Sequence, residues 1–429
     1  MTHVAVVDLG YGDAGKGTVV DWLSSGAGPG GPVHAVVRFN GGAQAAHNVV
    51  TPDGRHHVFA QLGSGTFTAG VRTHLSRFML VDPLALIAEV DHLAAVGVTD
   101  ALERLTVDRR ALLTTPYHAA ANRAREVARG EARHGSCGMG VGETVAYALA
   151  HADDAPRAGD CGDPHTLRLK LARLRDRLAG ELGPLPAPGV DACVEAFGAF
   201  AARVTLADDA YLGRLLRAGS VVFEGAQGVL LDEWHGFHPY TTWSTTTFAN
   251  VDTLLAEAGA PGTAVRLGVL RTYATRHGPG PFVTEDASLT AALPDRHNGH
   301  GRWQGAFRVG HLDLVAVRYA IEACGGVDGL ALTHLDVAAG RDDLRVCRAY
   351  DLGGRRAERL APGPAGDLDR QAALTRCLFE ARPVYGRMEA GAIETVANEL
   401  DVPVVLGSNG PTVLDKRVLG RLLSRPVPA

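Results

Sequence analysis

A glycine-rich segment near the start of the chain has the residue types that bind an anion. Residues 8–18 read D-L-G-Y-G-D-A-G-K-G-T. Glycines let the backbone approach a ligand closely, and the free N–H groups at a helix N-terminus attract negative charge. Lys16, one of only three lysines in the chain, adds a compact ammonium that suits a phosphate. The segment therefore predicts a phosphate-binding loop in which Gly12, Gly15, Lys16 and Gly17 hold the ligand.

Asp13 does not fit a loop that only binds phosphate. The loop also departs from the Walker pattern, because Gly17 stands where a Ser or Thr should follow the lysine. A carboxylate among phosphate-binding N–H groups repels the ligand unless a metal ion or a proton intervenes. Asp13 is therefore predicted to be a Mg²⁺ ligand or a general base. A simple strand-to-helix turn with an acid near the helix start remains the alternative.

Two more candidate residues follow apolar runs elsewhere in the chain. His47 lies in R-F-N-G-G-A-Q-A-A-H-N at 38–48, and Gln227 lies in F-E-G-A-Q-G at 223–228. A histidine beside a phosphate loop could donate to a developing phosphoryl charge, although a lone histidine is more often structural. A glutamine amide pairs a donor with an acceptor and can bind a carbonyl or a ring nitrogen. A glycine-mediated turn is the alternative for Gln227.

The segment T-H-L-D at 333–336 is similar to the T-K-x-D element with which GTP-binding proteins bind guanine. His334 stands in the lysine position. The carboxylate of Asp336 could accept from both the ring N–H and the exocyclic amine of guanine, which adenine does not offer. The segment favours GTP over ATP.

Apolar runs and helical periods indicate the elements that position these residues. Buried strands are predicted at 4–9, 35–39, 105–108, 220–223, 264–270, 329–332 and 402–406. Helices are predicted at 83–96, 115–129, 165–182, 191–203, 250–258, 313–324 and 370–381. The alternation predicts an α/β fold with a large, mostly parallel central sheet and helices on both faces, like that of P-loop nucleotide-binding proteins. We expect one domain over 1–429, with a mostly helical lobe at 101–219.

The composition narrows the class of partner. The chain has 429 residues, 46% of them hydrophobic, and a formal net charge of −5. A negative net charge is not typical of a nucleic-acid-binding protein. No apolar stretch approaches the roughly 20 residues that cross a bilayer. The six cysteines show no zinc or redox spacing, and no secretion signal precedes the first strand. We expect a cytoplasmic protein that acts on small molecules.

Taken in order, these segments resemble the adenylosuccinate synthetase family. Its W-G-D-E-G-K-G-K loop is matched by 11–18 and its G-G-H-N-A-G-H turn by 41–47. The match continues with F-E-G-A-Q-G-x-L-L-D at 223–232, P-Y-V-T at 239–242 and T-R-x-G-x-G-P-F-x-T-E at 275–285. It ends with T-K-L-D at 333–336 and S-x-G-P at 408–411. On these seven collinear motifs the chain is identified as a member of the family.

The resemblance implies a two-step, GTP-dependent carbon–nitrogen ligation that uses Mg²⁺. Asp13 would remove the N1 proton of IMP while O6 takes the γ-phosphoryl group, His47 would stabilise that transfer, and Gln227 would contact the base edge. An amino acid, aspartate in the family, would then displace phosphate. A homodimer is also implied. The implied binding residues are Gly12, Gly15, Lys16, Gly17, Asn48, His334, Asp336, Ser408 and Gly410 for GTP, Gln44, Cys137, Gln227 and Thr242 for the purine-like acceptor, and Asp13 with the Ala46 carbonyl for the metal.

The chain departs from the family pattern at the acceptor and amine sites. Where the family has T-T-G-R-R-R-R, whose arginines hold aspartate, residues 301–310 read G-R-W-Q-G-A-F-R-V-G and leave Arg302 and Arg308. Carboxylate recognition relies on the guanidinium fork, so a dicarboxylic amine should bind more weakly. Cys137 stands in the loop that contributes to the IMP phosphate site, either as a nucleophile or as a small replacement for threonine. The arginine that reaches across the family's dimer aligns near Asp153, with Arg157 close by.

Three hypotheses follow from this mixture. The leading one is a GTP-dependent ligase of this family with an altered substrate in specialised metabolism. Its acceptor would be IMP or an IMP-like purine or amide, and its amine would be aspartate or another amino acid. The second is an ordinary adenylosuccinate synthetase of purine biosynthesis in which Arg302, Arg308 and Arg157 take over the missing contacts. The third, from another class, is a non-catalytic GTP-binding regulatory paralogue. Retention of Asp13, His47 and Gln227 argues against the third, because a binding module needs no base.

Overall fold

The computed structural model describes residues 2–28, 31–130, 133, 135–295, 298–299, 301, 303–388 and 391–421. Its strands, in chain order, are β1 (His3–Asp8), β2 (Val33–Arg38), β3 (His47–Val50), β4 (His56–Phe59), β5 (Arg72–Leu75), β6 (Leu80–Val81), β7 (Leu105–Asp108), β8 (Leu112–Leu113), β9 (Thr205–Ala207), β10 (Ser220–Glu224), β11 (Ala264–Arg271), β12 (Ala274–His277), β13 (Phe307–Gly310), β14 (Leu312–Asp313), β15 (Gly329–Thr333), β16 (Val346–Leu352), β17 (Arg355–Ala357), β18 (Arg382–Gly386), β19 (Val404–Ser408) and β20 (Lys416–Val418). Its α-helices are α1 (Lys16–Ser24), α2 (Pro83–Ala95), α3 (Pro116–Arg129), α4 (Val141–Ala150), α5 (Pro164–Leu182), α6 (Val190–Ala201), α7 (Tyr211–Ala218), α8 (Ala249–Glu257), α9 (Ala287–Ala292), α10 (Leu314–Ala323), α11 (Leu335–Ala339), α12 (Leu368–Glu380) and α13 (Ala392–Leu400).

A ten-stranded sheet runs through the molecule in the order β20-β19-β15-β11-β1-β10-β2-β5-β7-β9. Its neighbouring strands pair in parallel, apart from the antiparallel pair β19 and β20. The predicted α/β class with a large, mostly parallel sheet is confirmed. β1 lies near the centre of the sheet. Because β1, β2, β10, β15 and β19 run in the same direction, the loops that follow them emerge at one edge of the sheet.

Strand β1 shows why the sheet is covered on both faces. All six of its residues are buried. Ala5 and Val7 enter one large hydrophobic core, whereas Val4 and Val6 enter another that contains apolar residues of α1. Alternate side chains of a strand point to opposite faces, so a continuous apolar run predicts this two-sided burial.

Helices α2, α3, α5 and α6 share one hydrophobic core, to which β5 and β7 also contribute. Capping side chains start several of these helices. Asp82 accepts from the backbone N–H of Leu84 at 3.0 Å, and Asp163 accepts from that of His165 at 3.1 Å. In each case a proline follows the cap, as expected at the first position of a helix. Across the described parts of the chain, no helix combines the length and apolarity that a membrane crossing requires.

Candidate active site

The loop between β1 and α1 has the backbone geometry of a tight anion-binding turn. Gly12 has φ 105° and Gly15, which caps α1, has φ 91°, two values in the region that favours glycine. Gly17 has no room for a side chain, because a Cβ there would lie 2.8 Å from the Cβ of His47. The close approach of α1 to His47 brings two predicted site segments together.

Asp8 is a buried carboxylate inside this loop that the sequence patterns did not single out. Its Oδ1 accepts from the backbone N–H of Gly10 at 2.8 Å and of Gly12 at 3.3 Å. Its Oδ2 accepts from the N–H of Ala14 at 2.8 Å and from the Lys16 ammonium at 3.1 Å. Asp8 thus organises the first half of the loop and neutralises Lys16. Its place at the last position of a buried strand, two residues before the first glycine, was the signal that could have marked it.

Asp13, the predicted base or metal ligand, has φ 60° and a side chain that is 31% exposed. Its Oδ2 lies 3.4 Å from Nε2 of His277, and its backbone carbonyl accepts from Nη1 of Arg271 at 3.1 Å. Burial opposes ionisation of the carboxyl, but His277, Arg271 and Lys16 outweigh it and lower the pKa of Asp13. The carboxylate is therefore ionised near neutral pH, as both a base and a metal ligand require. Neither His277 nor Arg271 was among the predicted site residues.

His47 forms a buried pair with Glu224, the last residue of β10. Nδ1 of His47 lies 2.6 Å from Oε1 of Glu224. The same carboxylate accepts from the backbone N–H of Ser64 at 2.9 Å and from the Ser64 hydroxyl. Burial raises the pKa of Glu224, yet Arg38, His47 and Ser64 together lower it to about 2. An ionised Glu224 holds Nδ1–H and leaves Nε2 of His47 for a ligand. Glu224 was missed although it lies within F-E-G-A-Q-G, because only the amide of that segment drew attention.

Gln44 and Gln227 carry unsatisfied amides next to the same turn. A Cβ on Gly41 would lie 3.4 Å from Oε1 of Gln227, and one on Gly42 would lie 3.1 Å from Oε1 of Gln44. Oε1 and Nε2 of Gln44 and Oε1 of Gln227 are buried without a hydrogen-bond partner among the described residues. Buried amides of this kind normally find partners, so a ligand with both donors and acceptors would complete them.

The predicted guanine end lies on the neighbouring strands β15 and β19. His334 has φ 57°, and Nε2 of its ring lies 3.0 Å from Nη2 of Arg271, while Asp336 is exposed. Ser408 is buried, and its hydroxyl donates to the carbonyl of Gly410 at 3.0 Å. These strands pair in parallel, so both segments leave the sheet at the edge that carries the phosphate loop.

The helix of the phosphate loop contacts this end directly. The hydroxyl of Thr18 donates to the carbonyl of Pro411 at 2.7 Å. The contact ties the start of α1 to the turn after β19. Asn48, the other residue assigned to GTP, lies in the β3–β4 hairpin, where its Oδ1 is 2.9 Å from Nε2 of His56.

Two of the predicted acceptor and amine residues, Thr242 and Arg308, form hydrogen bonds to other parts of the chain. Thr242 donates its backbone N–H to the carbonyl of Leu231 at 2.8 Å. Arg308 donates to Glu285 at 2.6 Å and to the carbonyls of Gly278 at 2.6 Å and Gly280 at 3.1 Å. Arg302 lies outside the described residues. Arg308 is thus already paired with a carboxylate of its own chain.

Cys137 is half-buried, and burial raises the pKa of its thiol above the ordinary value. A thiol with a raised pKa is a poor nucleophile, so its surroundings favour the interpretation of a small residue in place of threonine. The loop that contains it is held by α3, because Nε of Arg123 donates to the carbonyl of Gly138 at 2.9 Å and Asn122 donates to Ser136 at 2.9 Å.

Comparison with known proteins identifies the family. The family model described as adenylosuccinate synthetase matches residues 5–388. The chain belongs to the adenylosuccinate synthetase family. It is 34% identical to the adenylosuccinate synthetase of Desulfovibrio desulfuricans over 387 residues, which cover 86% of each chain. It is 31% identical to that of Neisseria gonorrhoeae over 430 aligned residues, which cover 95% of this chain and 96% of the relative.

Two solved structures share the fold. A fully ligated adenylosuccinate synthetase from Plasmodium falciparum superposes with a TM-score of 0.83 at 22% identity, over 98% of this chain and all of that one. The succinoaminodeoxyadenylate synthetase of cyanophage S-2L, bound to dGMP and to dATP as an energy donor, gives 0.63 at 19% identity, over 98% and 97%. The predicted family and fold are confirmed. As a member of the adenylosuccinate synthetase family, the protein is a GTP-dependent carbon–nitrogen ligase.

The residues present fit the magnesium ion that the adenylosuccinate synthetase family uses. Mg²⁺ prefers oxygen ligands and keeps several sites for water and phosphate. The ionised, partly exposed carboxylate of Asp13 is such a ligand, and Ala46 lies exposed in the turn that precedes His47. Two protein oxygens beside a phosphate loop match this requirement.

Proposed function

We propose that this protein phosphorylates the 6-oxo group of IMP or of an IMP-like purine or amide acceptor with GTP, and then displaces the phosphate with an amine. The observation that carries the proposal is the meeting of Asp13, His47 and Gln227 with the phosphate loop at one edge of the sheet. Phosphoryl transfer needs positioning and charge stabilisation more than covalent help. A base, an imidazole oriented by Glu224 and an unsatisfied amide supply both.

The first step forms the O6–phosphorus bond and breaks the bond between the γ-phosphorus and the bridging oxygen of GTP. Asp13 takes the N1 proton, so that electron density reaches O6. His47, protonated and paired with Glu224, would donate from Nε2–H to the charge that develops on the transferring group, and Gln227 binds the base edge. When bound, Mg²⁺ neutralises phosphate charge, and Asp13 with the Ala46 carbonyl would hold it. In the second step the amine attacks C6 and forms the C6–N bond, the C6–O6 bond breaks, inorganic phosphate leaves, and the amine releases a proton to solvent.

Different residues along this edge of the sheet would bind GTP and the purine-like acceptor. Gly12, Gly15, Lys16 and Gly17 would hold the phosphates of GTP. The remaining proposed contacts are Asn48, His334, Asp336, Ser408 and Gly410 for the rest of GTP, and Gln44, Cys137, Gln227 and Thr242 for the acceptor. The exposed carboxylate of Asp336 is available to the guanine edge.

The amine is the substrate that we propose to differ from aspartate. Arg308 pairs with Glu285 at 2.6 Å, which leaves less of its guanidinium for a substrate carboxylate. Arg302 is the other arginine of this loop. An amine with one carboxylate, or with none, therefore suits the loop better than a dicarboxylic acid. Ordinary adenylosuccinate synthesis is the second candidate. It is favoured by the similarity to the adenylosuccinate synthetase of Neisseria gonorrhoeae, which extends over 96% of the length of that protein.

Phosphate release by the purified protein with Mg²⁺ and GTP separates the two candidates. It should be measured with and without IMP, and with aspartate against a panel of other amino acids. Release that needs both IMP and aspartate, with adenylosuccinate formed, would establish the ordinary synthetase. Turnover with another amine or acceptor, and none with that pair, would establish the altered ligase.

Asp13→Asn tests the assignment of Asp13 as the base. The amide cannot take the N1 proton, so we expect turnover to fall by about 10²–10⁴-fold or more while GTP still binds. GTP affinity, measured by calorimetry, is the control. A variant that keeps its turnover would contradict the assignment of Asp13, and a wild-type protein that binds GTP without turnover on any acceptor would indicate a regulatory paralogue.

A further inference from the structure

His277 contacts the predicted base from a distant part of the chain. It is the last residue of β12, and its Nε2 lies 3.4 Å from Oδ2 of Asp13. The two residues are 264 positions apart, so the contact depends on the fold. Asp13 is also held at its backbone, where the carbonyl accepts from Arg271 at 3.1 Å. His277 and Arg271 thus hold the side chain and the main chain of the same residue.

Asp13 needs such a contact, because its side chain is only partly enclosed. The carboxylate is 31% exposed, and a φ of 60° keeps the backbone of Asp13 in a sparsely populated region. A half-exposed carboxylate can rotate about its side-chain bonds. A base that must take one particular proton has to be held within hydrogen-bond reach of that proton.

His277 is itself fixed by its neighbours. It pairs with Phe307 across the β12–β13 ladder, and the two rings pack with centroids 4.9 Å apart at an angle of 55°. The preceding residue, Arg276, is buried and donates to the carbonyl of Pro281 at 2.9 Å. The guanidinium of Arg276 also lies over the ring of Tyr11, 4.2 Å from its centroid. An imidazole held in this way can orient the carboxylate that it contacts.

We propose that His277 is a positioning residue for Asp13, which holds one carboxylate oxygen so that the other faces the acceptor. The proposal rests on the proposed function, because it assumes that Asp13 acts as the base. Nε2 of His277 acts through Asp13 and need not touch the substrate. Outer groups that orient a working residue typically contribute about 10–100-fold in activity.

Three variants test this role in the full-length protein. His277→Val removes the contact, and we expect kcat to fall about 10–100-fold with KM for GTP changed less than about threefold. His277→Gln keeps a side-chain N–H near the position of Nε2, and should recover most of the loss. His151→Val is the matched control, because His151 is also half-buried and lies against an aromatic ring, that of Tyr147 at 5.0 Å. It should leave kcat unchanged.

Crystal structures of the wild type and of His277→Val give a second readout that needs no turnover. We expect the Asp13 carboxylate to move or to adopt more than one conformation in the variant, with the β1–α1 backbone unchanged. A wild-type protein without turnover on any acceptor would overturn the proposed function. An active wild type whose kcat is unchanged by His277→Val, or a Gln variant as impaired as the Val variant, would overturn the role of His277 alone. An unmoved carboxylate would do the same.

Discussion

At the scale of single residues, the pair of His47 and Glu224 decides which nitrogen of the imidazole serves the reaction. A 2.6 Å contact between an imidazole and a buried carboxylate sets the orientation of the ring. Ser64 donates to the same carboxylate from its N–H and its hydroxyl, so Glu224 cannot turn away from His47 without losing those bonds. The arrangement resembles in logic a catalytic histidine oriented by an acid.

Glu224→Gln should therefore impair the transfer step. The amide has no charge to stabilise a protonated His47 and would direct an N–H at one of the Ser64 donors. We expect kcat to fall by at least about 100-fold, with a smaller change in KM for GTP. Steady-state kinetics measure this, and a variant with normal kcat would show that the pair is only structural.

The effect of Glu224→Gln on the unfolding free energy should also depend on pH. The pKa of Glu224 falls from 4.5 to about 2 on folding, so its ionised form stabilises the native state above pH 4.5, and this contribution is lost as the pH falls toward 2. It corresponds to about 3 kcal/mol at pH 7 and roughly half of that at pH 3. The difference in unfolding free energy between wild type and Glu224→Gln should shrink accordingly in denaturant titrations at these two pH values. A difference that does not depend on pH would contradict the ionised state.

At the scale of elements, the junction between α1 and the turn before β3 depends on the absence of one side chain. A Cβ on Gly17 would lie 2.8 Å from the Cβ of His47 and 3.3 Å from its carbonyl carbon. The helix or the histidine must then shift, although the backbone of Gly17 itself is helical. Placement of the imidazole is thus a consequence of how closely two elements pack.

Gly17→Ala should displace His47 and lower both activity and stability. We expect a loss of at least tenfold in kcat and about 1–3 kcal/mol in unfolding free energy, as for other overpacked sites. Gly180→Ala is the control, because Gly180 lies within α5 and a Cβ there meets nothing within 4 Å. Alanine at that position should stabilise the protein by about 0.4–1 kcal/mol. The melting temperatures of the two variants should move in opposite directions and only Gly17→Ala should lose kcat, or the packing argument is wrong.

The elements that could be predicted from the sequence are those with long apolar or periodic patterns. All seven predicted strands and all seven predicted helices are present, with ends that differ by at most three residues. The other strands, from the four-residue β3, β4 and β5 to the seven-residue β16, were missed. Short segments with polar members, such as R-T-H-L in β5, carry no clear period. The helices α4, α7, α9, α11 and α13 were missed as well.

The site could be predicted only where a motif names the residue. Asp13, His47 and Gln227 lie in motifs and are brought to one sheet edge, whereas His277 occupies a variable position of its motif. Its relevance arises only when β12 passes the phosphate loop. Glu224 and Asp8 were overlooked because a carboxylate at the end of a buried strand is recognised as functional only through the donors around it.

At the scale of the whole molecule, we expect the protein to be a homodimer, as its family implies. Sedimentation velocity at micromolar concentration should then show a species of twice the 45.0 kDa chain mass. The arginine that the family sends across the dimer is not matched here, and Arg157, close to that position, donates to the carbonyl of Arg110 at 2.8 Å. A single species with the mass of one chain would refute the dimer without affecting the assignments at the sheet edge.

The carboxylate of Asp8 contacts the same kinds of group, backbone N–H and ammonium, that bind a phosphate in such loops. Because Asp8 accepts from three backbone N–H groups and from the Lys16 ammonium, the protein itself holds the loop in its tight turn. An incoming phosphate must then compete with Asp8 for the Lys16 ammonium. When the phosphate leaves, Lys16 pairs with Asp8 again. The contribution of Lys16 to nucleotide affinity is the difference between its attraction to phosphate and its attraction to Asp8. We therefore expect the nucleotide to bind with moderate affinity and to exchange rapidly. Product nucleotide could then leave without the loop having to unfold.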